Sequence, residues 1–480
     1  MNKSEQNNEI VDTAVSRSLH VAPSWANASV ETRCQLLEAL AAELDANKEA
    51  LIKLADQETH LGEARLGNEL DRTSFQLRGF AAHLKGERPL LPRTEPAVDA
   101  PPPVGRPRLA LARVALGPVA MFSASNFPFA FSVLGGDTAS ALAAGCPVVV
   151  KAHRGHPELS REVYRLAVQA IRRIGLPEDL LQLVEGNGND VGVALIRHAG
   201  IAAAAFTGST QGGIALWREA NARPVPIPFY GELGSINPVV ILPGAIEGNE
   251  DNAGRSLASS IEFGCGQICT SPGVIVLFKS KSSDQFVDSL CNAFQTLKTH
   301  PMLTEGMKHN FDIGVARLKK APNVRALLPS SSEGSENILP QPFIGETTAA
   351  AFIEDEMLRE EVFGPACLIV RVTDVSEALA VLNAVGGSLT VTVWGAEEPT
   401  EVSRSIVQQA SRIGGRVIFG GVPTGVAVSL CQQHGGPWPS STNPATTSVG
   451  YAAIDRFLRP VALQNAPGWV MRDFALGLDQ

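Results

Sequence analysis

The chain reads as an α/β protein built on parallel sheets covered by helices. Two observations predict this. Short β-branched runs recur, each followed by a glycine-bearing loop and then by a segment with helical spacing of apolar residues. The same strand–loop–helix style returns in the second half, over residues 235–430, which argues for a second α/β domain.

Taken in order, residues 29–92 read as helical. Ser29 is placed to cap ETRCQLLEALAAELDANKEAL, whose leucines recur at three- and four-residue steps, and a second amphipathic stretch covers Glu58–His83. Prolines and acidic residues cluster at 88–107 and mark a loop or domain border. RLALARVALGPVAMFSAS then gives a strand, a turn at Gly117-Pro118 and a second strand. Asp137–Ala144 is a small-residue helix and Pro147–Val150 a strand. Arg161–Ile174 is a helix, Leu180–Val184 a strand, and Ile201–Phe206 a strand ending in Thr207-Gly208-Ser209. Beyond 235, NPVVIL, GVIVLF and ACLIVRV read as strands, and 251–262 and 284–297 as helices. The tail, 439–480, is weakly patterned and suited to packing against another subunit.

Composition limits the function classes. A chain of 480 residues with 44% hydrophobic and 19% charged residues has an ordinary globular balance and room for more than one domain. Its 40 Lys and Arg against 49 Asp and Glu leave a net charge of −9, which disfavours nonspecific nucleic-acid binding. Seven irregularly spaced cysteines point to a reducing compartment rather than a disulfide framework. Cys265 and Cys269 have no second cysteine pair to complete a zinc set, so no metal is expected. The N-terminal segment is polar and lacks a signal core. The most apolar run, Val133 to Val150, is broken by Asp137 and Pro147 and does not read as a membrane span. A cytoplasmic protein is the expectation.

Several residues have the chemistry of a covalent acyl site. Cys269 lies in FGCGQICTSPG, where small neighbours and helix-terminal N–H groups could lower a thiol's pKa and bind an oxyanion; burial as a small hydrophobe is the competing reading. Glu232, in PFYGELG, is either a structural cap or a base that activates water, and Glu361, in EEVFGP, is equally ambiguous. Asn126, in SNFP, supplies an amide donor. FTGSTQGG follows a strand and opens a helix, so Gly208 and Ser209 offer either a tight turn or a phosphate cradle, although this is not the usual G-x-G-x-x-G. Lys151, His153 and Arg154 follow the strand PVVV, at the sheet edge where ligands bind; a solvated loop explains them too.

These segments, in this order and over nearly the whole chain, resemble the aldehyde dehydrogenase superfamily, and in particular its NADP-dependent 2-oxoglutarate semialdehyde dehydrogenases and their fatty-aldehyde relatives. FSASNFPFAFSVLGGDTASALAAGCPVVVKAHRGHP, FTGST, PFYGELGSINP, FGCGQICTSPG, EEVFGP and HGGPWPSSTNPATTSVG carry the match. The resemblance implies Cys269 as nucleophile, Asn126 as oxyanion donor and Glu232 as general base. It implies Lys151 and Glu361 as ribose contacts, Phe363 beside the nicotinamide, and Gly208, Ser209 and Gly213 as the pyrophosphate turn. Arg154 stands where many NAD-using relatives have a glutamate that would repel a 2′-phosphate. With His153 it favours NADP.

The implied substrate is a small aldehyde, 2,5-dioxopentanoate, with Arg78 as the candidate for its far carboxylate. The alternative is a broad-specificity or long-chain fatty aldehyde, and a catalytically silent cofactor-binding protein is the non-enzymatic rival. The usual M-V-H is replaced by Gln432-Gln433-His434, the asparagine before GxPTG by Gly420, and an initial strand common in relatives is reduced or absent. The resemblance implies a Rossmann-like cofactor domain over 1–97 and 116–231, a catalytic domain over 232–438, and an oligomerisation element from 98–115 and 439–480, in a homodimer or homotetramer.

Overall fold

The computed structural model describes residues 3–186, 190–296, 299–329 and 339–474. Two parallel sheets organise it. The smaller has five strands in the order Leu181–Val184, Val148–Lys151, Val119–Phe122, Ala203–Thr207, Phe229–Glu232, all parallel. The chain starts at the middle strand, winds outward in one direction, then returns to the other side. That order creates a switch point beside Val119–Phe122, where an open parallel sheet leaves a crevice at its carboxyl edge.

The larger sheet has seven strands, with Val274–Phe278 and Val239–Ile241 near its centre, flanked by Ala366–Val372 and Ser388–Trp394. Their side chains are buried on both faces, as β-branched runs between helix layers require. Only the edge strand Arg325–Ala326 runs antiparallel.

The two strands expected around Gly117-Pro118 do form, and Gly117 adopts φ +123° at the turn. They do not share a sheet. Val119–Phe122 is the centre of the five-stranded sheet, whereas Leu109–Ala115 pairs antiparallel with Arg93–Glu95 and Leu458–Gln464 in a separate three-stranded sheet. The C-terminal segment therefore divides. Residues 458–464 join that small sheet, while 440–442 lie along the end of Phe229–Glu232 through Leu233 N to Ser440 O (2.8 Å) and Thr442 N to Gly231 O (3.0 Å).

The helical region 29–92 resolves into Val30–Ala46, Lys48–Thr59 and Glu63–Gly86. Ser29 caps the first by accepting from Thr32 N at 3.1 Å. Leu36, Leu37, Leu40 and Leu44 are buried in one core with Leu66, Leu70, Leu77 and Phe80. Each such side chain contributes about 1.5–3 kcal/mol from burial. Before residue 29, where the sequence reading assigns no helix, Lys3–Ala26 forms one. Val11, Val15, Ser18, Val21 and Trp25 are its buried stripe, and Trp25 Nε1 donates to Leu142 O at 3.2 Å. Surrounding polar residues dilute this stripe, so composition alone conceals it.

Arg456 and Asp137 form a buried ion pair at 2.7 Å, with 2% and 3% of their side chains exposed. It ties the turn before Leu458–Gln464 to the helix Gly136–Ala144. Removing one partner strands a buried charge. Asp137→Ala is expected to lose about 3–5 kcal/mol of stability, read as a lower urea midpoint; Asp137→Asn should lose less because it keeps a hydrogen-bond acceptor.

Candidate active site

Strand termini deliver the chemistry to one crevice. Asn126 lies in the loop after Val119–Phe122, Lys151 ends its strand, Gly208 and Ser209 follow Ala203–Thr207, and Glu232 closes Phe229–Glu232. A cleft of about 550 Å³ runs along this edge. It is lined by Lys151, His153, Arg154, Gly208, Ser209, Glu361 and Phe363, and by Asn126, Glu232 and Cys269.

The phosphate cradle has the local geometry its residues suggested. Ser209 caps Thr210–Ala222 by accepting from Gly212 N at 3.2 Å. A Cβ on Gly208 would sit 2.8 Å from the Phe206 ring. One on Gly213 would sit 2.2 Å from Leu233 Cδ2, so Gly213 serves close helix–strand packing rather than lining the cleft. The space, the capped helix N-terminus and the glycines fit a dinucleotide. Lys151 Nζ donates to Ala152 O (2.8 Å) and Gly186 O (3.3 Å), and burial, reinforced by Arg154, lowers its pKa. His153 Nδ1 accepts from Gly155 N at 3.0 Å, and burial with the neighbouring His156, Lys151 and Arg154 pushes its pKa down to about 3. His153 is therefore a neutral hydrogen-bonding group at neutral pH, while Arg154 is the exposed cation of this corner.

The reactive end holds a residue that sequence reasoning left without a role. His434 Nε2 lies 3.5 Å from Cys269 Sγ and 3.1 Å from Glu232 Oε1. The nitrogen faces both atoms, and Oε1 is left without an aligned donor, so the Glu232 contact is electrostatic closeness rather than a well-directed bond. Ser448 Oγ donates to Glu232 Oε2 at 2.6 Å. Burial by itself would raise the Glu232 carboxyl; the charge and contact of His434, with Ser448 and Cys269, hold it below the ordinary range. Cys269 goes the other way. Burial, then the negative charge of Glu232, raise its thiol well above the usual value. This corrects the expectation that its backbone surroundings lower that pKa.

The Sγ, Nε2 and carboxylate atoms lie within 4.8 Å of one another, a donor set that also fits a soft divalent ion. A thiol tied to such an ion is withdrawn from attack on a carbonyl.

Two further groups hold the reactive loops. Asn237, in the left-handed region at φ 52°, donates through Nδ2 to Cys269 O (2.8 Å) and Ser271 O (3.0 Å) and accepts from Thr390 N (3.2 Å). On the helix Glu63–Gly86, Glu69 Oε1 accepts from Phe129 N (2.8 Å) and Ala130 N (3.0 Å), and Arg65 donates to Asn126 O (2.7 Å). Asn126 Nδ2 donates to Gln267 O at 3.0 Å. An amide nitrogen has two N–H donors, so one remains for a ligand. Cys265 is buried, with its thiol donating to His300 O at 3.4 Å, and does not line the cleft.

Arg78 is not brought to the site. It is exposed on the outer face of its helix, paired with Asp45 at 2.5 Å, six residues beyond the arginine that faces inward. Gln432 and Gln433 also bond locally, to Ala427 O and Pro444 O. His434 was hidden in sequence because only folding brings it 165 residues back to Cys269; its place beside the altered Gln-Gln pair was the available signal.

Fold and cleft together fit an oxidoreductase that binds a dinucleotide. The family model described as "Aldehyde dehydrogenase family" matches residues 2–443, and the chain belongs to that family. It is 42% identical to alpha-ketoglutaric semialdehyde dehydrogenase 2 of Azospirillum brasilense over 91% of this chain and 83% of that protein. It is 36% identical to alpha-ketoglutaric semialdehyde dehydrogenase of Acinetobacter baylyi over 96% and 88%. Among solved structures, a 1-pyrroline-5-carboxylate dehydrogenase superposes with a TM-score of 0.80 at 20% identity, covering 95% of this chain and 85% of that one. The shared fold is what that likeness shows.

The Ser448 contact yields a pH prediction. Because Glu232 is held below its ordinary value, its ionised form is retained as pH falls and is lost only below the usual carboxylate range. Ser448→Ala removes one bond to that charge, worth about 1.5–3 kcal/mol or roughly 1–2 pH units. The acid limb of kcat is expected to move upward by that amount, measured as rate against pH.

Proposed function

We propose that this aldehyde dehydrogenase oxidises 2,5-dioxopentanoate to 2-oxoglutarate with NADP, through a thioester on Cys269. The chemistry rests on one observation, the continuous contact of Cys269, His434 and Glu232 at the inner end of a dinucleotide-shaped cleft. The substrate assignment is supported by the two semialdehyde dehydrogenases to which the chain is 42% and 36% identical.

Cys269 rests as a thiol and needs a base. The Glu232 carboxylate, which the thiol contacts, takes its proton and passes it to water, with His434 and Ser448 supporting the carboxylate. Sulfur then forms a bond to the aldehyde carbon. The second N–H of Asn126 and the backbone N–H of Cys269 receive the developing oxyanion. The nicotinamide, when bound against Phe363 and Glu361, supplies an acceptor for the aldehyde hydrogen as hydride. Loss of that hydride leaves a thioester. Glu232 takes a proton from water, whose oxygen attacks the acyl carbon; the C–S bond breaks, and the acid leaves with the cysteine regenerated.

Arg154, exposed beside Lys151 and His153, is the group we assign to the 2′-phosphate of NADP. We further propose a cytoplasmic homodimer or homotetramer, in which segments 98–115 and 439–480 carry the assembly element. The cofactor domain is 1–97 with 116–231, and the catalytic domain is 232–438. The long-chain alternative draws on an apolar cluster of Phe127, Phe131, Val426, Val428 and Val449, whose Phe131 ring lies 6.4 Å from the His434 ring.

Initial rates with 2,5-dioxopentanoate, succinate semialdehyde, hexanal and decanal, each with NADP and NAD, test these readings. The highest kcat/KM is expected for the dioxo-acid with NADP; preference for decanal would sink the semialdehyde assignment. Cys269→Ala should lose more than about a thousandfold in rate. Arg154→Glu should lower the NADP-to-NAD efficiency ratio by roughly 10–100-fold, the loss of one charge-assisted contact and its replacement by repulsion.

A further inference from the structure

We infer that Arg72 receives the carboxylate at the far end of the substrate and so sets specificity for a short oxo-acid. The inference rests on the 2,5-dioxopentanoate reading and gives it a residue.

The helix Glu63–Gly86 presents Arg65, Glu69 and Arg72 at four- and three-residue spacing, one stripe toward the Asn126–Phe131 loop. The first two have structural work. Arg65 bonds Asn126 O and lies near the rings of Phe127 and Phe263, and Glu69 holds two backbone amides of the loop. Arg72 is different. Its guanidinium lies over the Phe131 ring at 5.6 Å and makes no hydrogen bond to the described residues; its Nη1, like that of Arg65, is buried without a partner. Among the described residues it forms no salt bridge with a carboxylate.

Its position is that of a substrate group. The Phe131 ring is 6.4 Å from the His434 ring, and His434 Nε2 is 3.5 Å from Cys269 Sγ. One aromatic ring therefore separates the imidazole from the guanidinium. The charge of Arg72 acts first on Glu69, one turn away on the same helix, and then on Cys269 and Glu232. A five-carbon dioxo-acid places its aldehyde and its carboxylate four bonds apart, with methylenes between them. The aldehyde carbon at Sγ, the methylenes against Phe131 and the 2-oxo-carboxylate at Arg72 follow that order. A carboxylate oxygen and the neighbouring keto oxygen point the same way and suit the two-pronged donor face of a guanidinium.

Arg416 already donates to Gly425 O (2.9 Å) and Pro423 O (2.7 Å), with only its Nε unpartnered, and Arg78 lies away from the site, paired with Asp45.

The test compares 2,5-dioxopentanoate with pentanal, which has the same length and no acid, in the wild type, Arg72→Gln, Arg72→Lys and Arg78→Gln. The readout is the ratio of the two kcat/KM values. Arg72→Gln is expected to lower that ratio at least 30-fold, mainly through KM for the dioxo-acid, and to weaken inhibition by 2-oxoglutarate in parallel. Arg72→Lys should recover part of the ratio, and Arg78→Gln should keep the wild-type ratio. Equal losses on both substrates in Arg72→Gln and Arg72→Lys would mark a structural role and overturn the inference, as would an unaltered ratio. A wild type with no preference for the dioxo-acid would instead overturn the substrate reading itself, and the role of Arg72 with it. Thermal stabilisation by NADP in each variant verifies that the ratio is read on folded enzyme.

Discussion

One side-chain amide holds the reactive centre together. Asn237 sits in a backbone conformation that asparagine tolerates better than most residues. It joins the turn after Glu232, the carbonyls of Cys269 and Ser271, and the strand Ser388–Trp394 of the large sheet. Buried polar groups must be paired, so each of these bonds fixes a partner as well as a position. Cys269 is thereby tied to a strand of the large sheet, while Glu232 ends a strand of the smaller one.

Within that frame the electrostatics are asymmetric. Both Cys269 and Glu232 are poor in solvent, yet the carboxylate has the stronger compensation, from His434 and Ser448, while the thiol has only the charge of Arg72. One negative charge beside another in a dry site is unfavourable, so the carboxylate is the group that ionises and the thiol keeps its proton. On the opposite wall, Glu69 and Arg65 organise the loop of the oxyanion donor from a helix that makes no other contribution to the chemistry described above for the cofactor.

Much of this was legible in the sequence, for identifiable reasons. The parallel strands announce themselves as β-branched runs, and residues that follow them, such as Lys151, Gly208 and Ser209, fall at the carboxyl edge by geometry. Cys269, Glu232 and Asn126 were marked by their glycine-rich and turn-forming neighbours, and the structure brings all three to one cleft. The helix Lys3–Ala26 escaped because its apolar stripe is sparse. His434, Ser448 and Asn237 escaped because their value lies in partners hundreds of positions away or on a different sheet. On the helix Glu63–Gly86, an exposed arginine and an inward-facing one are six residues apart. Motif matching cannot separate them; the angular position of each on the helix does.

The contact between Ser448 and Glu232 spans 216 residues, and Ser440 pairs with the residue after that same glutamate. A ribosome must therefore synthesise past position 448 before the base acquires its cage. The surroundings of Glu232 are thus completed by residues more than 200 positions further along the chain, Ser448 and His434.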